Sequence, residues 1–263
     1  MPRSGSTLLQ NILGNHPEIY STPTSPLFDY LAAAKKSYTK SVVTKAQNSD
    51  EMKSAFLTFC RYAIHGFFDG LTDKSIVLEK SRAWLSNKDF LQSFYPEAKI
   101  IVLVRDLREI LASMEKNYRK HPDKDTFPVE AEINTIGDRI TYWMNPRNKP
   151  VGSTLNNLLE SIHRGFHKEN VLFIKFEDLS SHPQEIMNIV HKFLGLENYK
   201  YDFDNIKQVT FEDDKFHGIY GDHKIKNKVI PVPNNAKQIL GETICNQIYE
   251  NNKWYFQTFK YEK

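Results

Sequence analysis

Residues 99–106 read Lys99-Ile100-Ile101-Val102-Leu103-Val104-Arg105-Asp106, five consecutive apolar side chains closed by an arginine and an aspartate. An uninterrupted run of that length suits a strand buried on both faces, as parallel strands are, rather than one with a solvated face. Directly afterwards the period changes, and over residues 107–118 the apolar positions recur at helical spacing. The same order appears on either side. Upstream, Ser75-Ile76-Val77-Leu78-Glu79 ends in Lys80 and precedes a helical pattern over residues 88–94; downstream, Val171-Leu172-Phe173-Ile174-Lys175 precedes another over residues 182–194. Repeated strand-then-helix units predict an α/β fold with a parallel sheet flanked by helices.

Outside these units, residues 7–15 carry Leu8, Leu9, Ile12 and Leu13 at helical spacing, stopped by Gly14-Asn15-His16-Pro17. Residues 21–26, Ser-Thr-Pro-Thr-Ser-Pro, read as a rigid polar loop, and residues 27–36 and 51–68 as amphipathic helices separated by a polar stretch. Residues 119–150 show weak periodicity and predict a loop-rich insertion. Residues 236–259 predict one or two helices with Ile239, Leu240, Ile244, Ile248, Trp254 and Phe256 in the core. With 263 residues, 40% of them hydrophobic, and no compositional split, residues 1–263 are expected to form a single domain.

The net charge of +3 comes from 35 basic and 32 acidic residues interspersed along the chain, which argues against a general nucleic-acid binder. Cys60 and Cys245 are the only cysteines, far apart and without His or Cys at ligand spacing. Neither a disulfide framework nor a metal site is therefore expected, and a reducing, cytoplasmic setting is the simpler reading. No stretch approaches the ~20 apolar residues of a membrane span, so no membrane segment is expected in this chain.

At the start of the chain stands Pro2-Arg3-Ser4-Gly5-Ser6-Thr7. A Gly/Ser turn feeding a helix presents successive backbone N–H groups and the positive end of the helix to an anion. It is not a Walker A loop, because G-x-x-x-x-G-K-[ST] is absent. By itself Gly5 also fits an ordinary helix entry. The second feature is Arg105 at the C-terminal end of a predicted strand, with Ser113 about two helical turns beyond it.

This pair of motifs resembles the sulfotransferase family, which combines a P-[RK]-S-G-[ST]-[ST] loop for the 5′-phosphosulfate with an Arg and a Ser, eight residues apart, for the 3′-phosphate. The resemblance extends to Phe176-Glu177-Asp178-Leu179, His182-Pro183 and Phe193-Leu194-Gly195-Leu196, and covers about residues 2–240. In layout it is nearest the tyrosylprotein and carbohydrate branches. The resemblance implies a three-layer core like that of P-loop-containing nucleoside triphosphate hydrolases and 3′-phosphoadenosine 5′-phosphosulfate as donor. It implies no metal, and as acceptor a hydroxyl or amine, on a tyrosine, a sugar or a small metabolite. It further implies that Arg3, Ser4, Gly5, Ser6, Thr7 and Leu8 hold the 5′ end of the nucleotide and that Arg105 and Ser113 hold its 3′-phosphate. Lys226, in a basic glycine-punctuated segment, would reach the cofactor. Arg3 and Lys80 would act on charge developing at the leaving oxygen.

Two departures stand out. Thr24 occupies the position of the branch's catalytic Glu and cannot serve as a base, which leaves His217 and His223 as substitutes. Phe176 stands where relatives often carry Tyr. The competing readings are a non-catalytic nucleotide-binding module of the same fold and a P-loop kinase. Because a phosphate loop ordinarily follows a buried strand, the first sheet strand is expected upstream of Pro2, beside those at 75–79 and 99–104.

Overall fold

Ile100–Val104 and Val171–Lys175 form parallel partners in register from Ile100 opposite Val171 to Val104 opposite Lys175. In the computed structural model, which describes residues 1–47, 49–121, 127, 133–147 and 149–263, they are the third and fourth strands, β3 and β4. The second strand, β2, is Ile76–Lys80. All three sit where the apolar runs predicted them.

A further strand falls in a stretch read as loop. Ile19–Thr24 (β1) pairs in parallel with β2, from Ile19 opposite Ile76 to Thr24 opposite Lys80. Residues 21–24 are thus sheet rather than the expected polar loop. The misleading residue is Pro23, which lacks a ladder donor and ordinarily signals an edge or a bulge. Here the register shifts between Ser21 and Thr24, and the Lys80 N–H turns to the Thr22 hydroxyl at 3.0 Å. A bulge thus lets the strand carry its proline.

The expected single sheet is present as two parallel pairs, β1 with β2 and β3 with β4, and among the described residues no ladder joins β2 to β3. A cavity of about 1150 Å³ runs between their facing edges, from Val77, Leu78 and Lys80 on one side to Ile100–Leu103 on the other, and reaches Arg3, Gly5 and Arg105.

Helices cover the strands. Ser6–Gly14 buries Leu9, Ile12 and Leu13 against Ile19, Leu103 and Ile174. Leu107–Lys120 is the central helix on the other side: Leu107, Ile110, Leu111 and Met114 are fully buried against Trp143, Tyr255 and Phe256. Each such aliphatic side chain contributes about 1.5–3 kcal/mol on burial, which fixes the register of this helix and hence of Ser113 upon it. Helices Leu27–Lys40, Asp50–Asp69 and Lys88–Phe94 form the third cluster around Cys60 and Phe90.

The expected insertion at 119–150 falls partly on residues 122–126, 128–132 and 148, outside the described residues. Its described part is not loop throughout. Ile136–Trp143 is a helix opened by a capping box in which Thr135 and Asp138 exchange side-chain and backbone bonds, and Pro150 starts a further helix to His163. The C-terminal region holds three short helices, Ala236–Leu240, Glu242–Asn251 and Lys253–Thr258, rather than one or two.

Candidate functional site

Gly5 is the N-cap of helix Ser6–Gly14, and no side chain caps it. The first helical bond is Leu9 N–H to Gly5 C=O at 3.1 Å, so the N–H groups of Ser6, Thr7 and Leu8 have no intrahelical acceptor. A negatively charged group set against them would find both bare donors and the helix dipole. Gly5 takes φ +87°, and a Cβ there would lie 2.2 Å from the Phe176 ring. Arg3 also has a positive φ, 57°. The turn is shaped further by Ser4, fully buried, whose hydroxyl donates to Met1 C=O at 2.7 Å.

Arg3 extends from this turn to the helix that follows β3. Its Nε donates to Ser113 Oγ at 3.2 Å, and its guanidinium also donates to Asp222 Oδ2 at 2.7 Å. Arg105 leaves the end of β3 and donates to Arg3 C=O at 3.0 Å. Its guanidinium stacks over Phe176 with the carbon 4.6 Å from the ring centroid. The phenylalanine therefore packs against both Gly5 and Arg105. The Arg105 Nε is buried without a hydrogen-bond partner, and burial weakens its hold on the proton relative to a free arginine. Asp106, next along the chain, pairs with Arg108 at 2.6 Å. Arg3, Ser4, Gly5, Arg105 and Ser113 thus converge although Arg3 and Ser113 are 110 residues apart.

Lys80 ends β2 and points to the same space. Its ammonium lies 2.8 Å from Glu212 Oε1 and 3.4 Å from Thr7 Oγ1. Glu79 faces another way: it accepts from the Trp84 indole, and burial raises its carboxyl pKa. Lys226 lines the same cavity and is exposed.

Sequence reasoning passed over Glu212. Its Oε1 accepts from the Thr24 N–H at 2.9 Å as well as from Lys80. A carboxylate thus stands beside the residue where the resemblance led one to look for a glutamate, brought there from 188 residues away. Burial pushes the Glu212 carboxyl up, but the hydrogen bond and charge of Lys80 and the Thr24 N–H outweigh it and bring it to about 2. On its other side, Glu212 Oε2 lies 2.9 Å from His217 Nε2 and 3.5 Å from His223 Nε2. These three residues are the group of possible metal ligands among the described residues. A search for Cys and His at ligand spacing misses it because one donor is a carboxylate and the three positions are spread over a loop.

Residues 1–200 match the model of the family described as "Sulfotransferase family". The chain belongs to that family. It is 24% identical over 204 residues to protein-tyrosine sulfotransferase 2 of Gallus gallus, a match covering 74% of this chain and 49% of the relative. Against protein-tyrosine sulfotransferase 1 of Danio rerio it is 25% identical over 204 residues, covering 74% of this chain and 51% of the relative. The chain therefore spans about half the length of these curated relatives. The sulfotransferase domain from the curacin biosynthetic pathway shares the fold, at 17% identity and a TM-score of 0.50, over 99% of this chain and 95% of that domain. Among the described residues no helix is long and apolar enough to cross a membrane.

Proposed function

We propose that this chain transfers a sulfuryl group from 3′-phosphoadenosine 5′-phosphosulfate to an acceptor hydroxyl. The observation that carries the reading is the convergence of Arg3, Arg105 and Ser113 on the uncapped turn at Gly5. Two cations, a hydroxyl and a set of unpaired N–H groups at one helix end suit a ligand with phosphates at two positions.

In the reaction the acceptor oxygen bonds to sulfur as the sulfur–oxygen bond to the 5′-phosphate breaks in line, and the acceptor proton departs. The products are the sulfated acceptor and 3′-phosphoadenosine 5′-phosphate. Negative charge grows on the leaving phosphate oxygen. The N–H groups of Ser6, Thr7 and Leu8, the Arg3 guanidinium and the Lys80 ammonium are the donors positioned to hold it. Each is fixed before reaction, by the helix end, by Ser113 and by Glu212, so little reorganisation is needed. Arg105 and Ser113 take the 3′-phosphate, and Lys226 reaches the nucleotide from the cavity rim.

Relatives named for tyrosine sulfation make a tyrosine hydroxyl the acceptor to test first, ahead of sugars and small metabolites. The described residues are read as one domain, because Val102 of β3 packs against the clusters on both sides. Two buried, unpaired cysteines support a cytoplasmic setting.

Titration calorimetry tests the reading. 3′-Phosphoadenosine 5′-phosphate should bind with 1:1 stoichiometry and ATP at least tenfold more weakly, and equal affinity for the two would refute the assignment of the donor.

A further inference from the structure

The loop that follows residue 211 carries a second cluster, distinct in chemistry from the anion turn. Glu212, His217 and His223 each direct one ligand-capable atom to a common point, with all three atoms within 4.8 Å of one another. Glu212 Oε2 is 2.9 Å from His217 Nε2 and 3.5 Å from His223 Nε2. Donors on a tetrahedral zinc ion at 2.0–2.2 Å stand roughly 3.3 Å apart, and both carboxylate-to-imidazole separations lie close to that.

Three further observations point to a ligand there. First, the Glu212 side chain is 6% exposed, and its Oε2 makes no hydrogen bond. The Nε2 atoms of His217 and His223 stand from it at ion-pair distance. Such a buried, unsatisfied carboxylate oxygen is costly unless something electropositive meets it. Second, the other oxygen is already committed: Oε1 accepts from Lys80 and from the Thr24 N–H, which holds the carboxylate with Oε2 turned to the histidines. Third, His223 is itself oriented. Its Nδ1 bonds Asp214 Oδ1 at 2.5 Å, and its backbone N–H donates to Asp214 Oδ2 at 3.1 Å. A carboxylate on Nδ1 fixes the tautomer in which Nε2 offers its lone pair, the arrangement that supports metal-bound histidines.

We propose that Glu212, His217 and His223 bind a divalent first-row transition ion, zinc in the first instance, with Asp214 as the residue that orients His223. Two imidazoles and one carboxylate favour zinc over magnesium or calcium, which take oxygen ligands. Three protein donors leave a fourth position for an oxygen from water or substrate. The Lys80 ammonium on Oε1 opposes a nearby cation and holds the affinity below that of an uncharged surrounding. The proposal stands on the donor geometry and does not depend on sulfuryl transfer. Where the transfer does occur, a hydroxyl on that fourth position would lose its proton more readily, which bears on the base that Thr24 cannot supply.

The test is a zinc titration of chelator-stripped protein, by competition with a chromophoric chelator, with cobalt as a spectroscopic probe and magnesium as the hard-ion control. One zinc per chain should bind, cobalt should give the visible bands of a tetrahedral site, and magnesium should not compete. His217→Ala and His223→Ala should each weaken zinc at least tenfold, and Asp214→Asn by about 10- to 100-fold through the orientation of His223. His217 is 30% exposed, so its removal opens no core cavity. That variant therefore decides the matter even if His223→Ala folds poorly, with circular dichroism and nucleotide binding as controls on its fold. Absence of stoichiometric zinc, or a loss of less than tenfold in His217→Ala, overturns the site and leaves the cluster a histidine–carboxylate ion pair. Neither result alters the nucleotide titration that tests the transfer itself.

Discussion

Arg3 donates from Nε to Ser113 Oγ at 3.2 Å, joining the first turn of the chain to the helix behind β3. The same guanidinium reaches Asp222, so its remaining capacity faces a carboxylate where the proposed nucleotide would bring a phosphate. The contact ties the two halves of the proposed nucleotide site together, and 3′-phosphoadenosine 5′-phosphate should engage both. At a free concentration of 100 times its dissociation constant it should stabilise the protein by about 2.7 kcal/mol, a rise of roughly 5–10 °C in melting temperature for a chain of this size. Adenosine 5′-phosphate at the same concentration should do far less, because it lacks the group that Arg105 and Ser113 would hold. Equal shifts in a thermal melt would remove the 3′-phosphate assignment.

Asp222 would compete with the proposed ligand for Arg3. Its pair with Arg3 is 2.7 Å long, but the aspartate side chain is 54% exposed, so the bond is worth about 0.2–1 kcal/mol. Asp222→Asn should accordingly tighten 3′-phosphoadenosine 5′-phosphate by about 1.4- to 5-fold in calorimetry, more at low salt than at high. Weaker binding in the variant would mean that Asp222 orders Arg3 for the ligand instead of occupying its place.

Gly5→Ala meets two obstacles. The backbone stands at φ +87°, and the new Cβ would lie 2.2 Å from a Phe176 ring atom. Strain and overpacking together should cost about 2–4 kcal/mol in urea denaturation. The double variant Gly5→Ala/Phe176→Ala separates the two, because it removes the clash and keeps the φ strain. Less than additive loss in that cycle is expected. Full additivity would show that Phe176 does not set the residue at position 5.

Much of this was legible in the sequence, for reasons that differ by residue. The run at 100–104 and the periodicity at 107–118 are local signals, and they placed β3, its helix, Arg105 and Ser113 correctly. Gly5 was legible because a turn with positive φ needs it. β1 was not, because Pro23 removes a ladder donor and only the bulge opposite β2 shows how the strand tolerates it. Glu212 was not, because its meaning lies in Thr24 and Lys80, which are 188 and 132 residues away. Asp222 likewise acquires a role only when the fold sets it against Arg3, 219 residues distant. Local period reaches the elements, whereas contacts between loops are decided by the packing that brings the loops together.

The central helix also carries a charge pair that makes an acid-stability prediction. Glu115 is fully buried and accepts from Arg139 with both oxygens, Nε to Oε2 at 2.9 Å and Nη2 to Oε1 at 2.8 Å. Arg119 adds a bond one turn along the helix at 2.8 Å. Burial alone would raise the Glu115 carboxyl, but the hydrogen bonds from Arg139 and Arg119 outweigh it and hold it below its ordinary value of 4.5. A carboxyl with a depressed folded value binds protons more readily when unfolded, so its stabilisation is fully present above pH 4.5 and is lost as the pH falls through the lower folded value. Glu115→Ala leaves Arg139 in the interior with its partner gone, which should cost about 3–5 kcal/mol near neutral pH. The loss should shrink on acidification, since protonation has by then weakened the same pair in the unmutated protein. Urea melts of both proteins at pH 7 and at successively lower pH test this directly: a difference in stability that stays constant, or grows, toward acid would show that Glu115 acts through packing and not through its charge on Arg139.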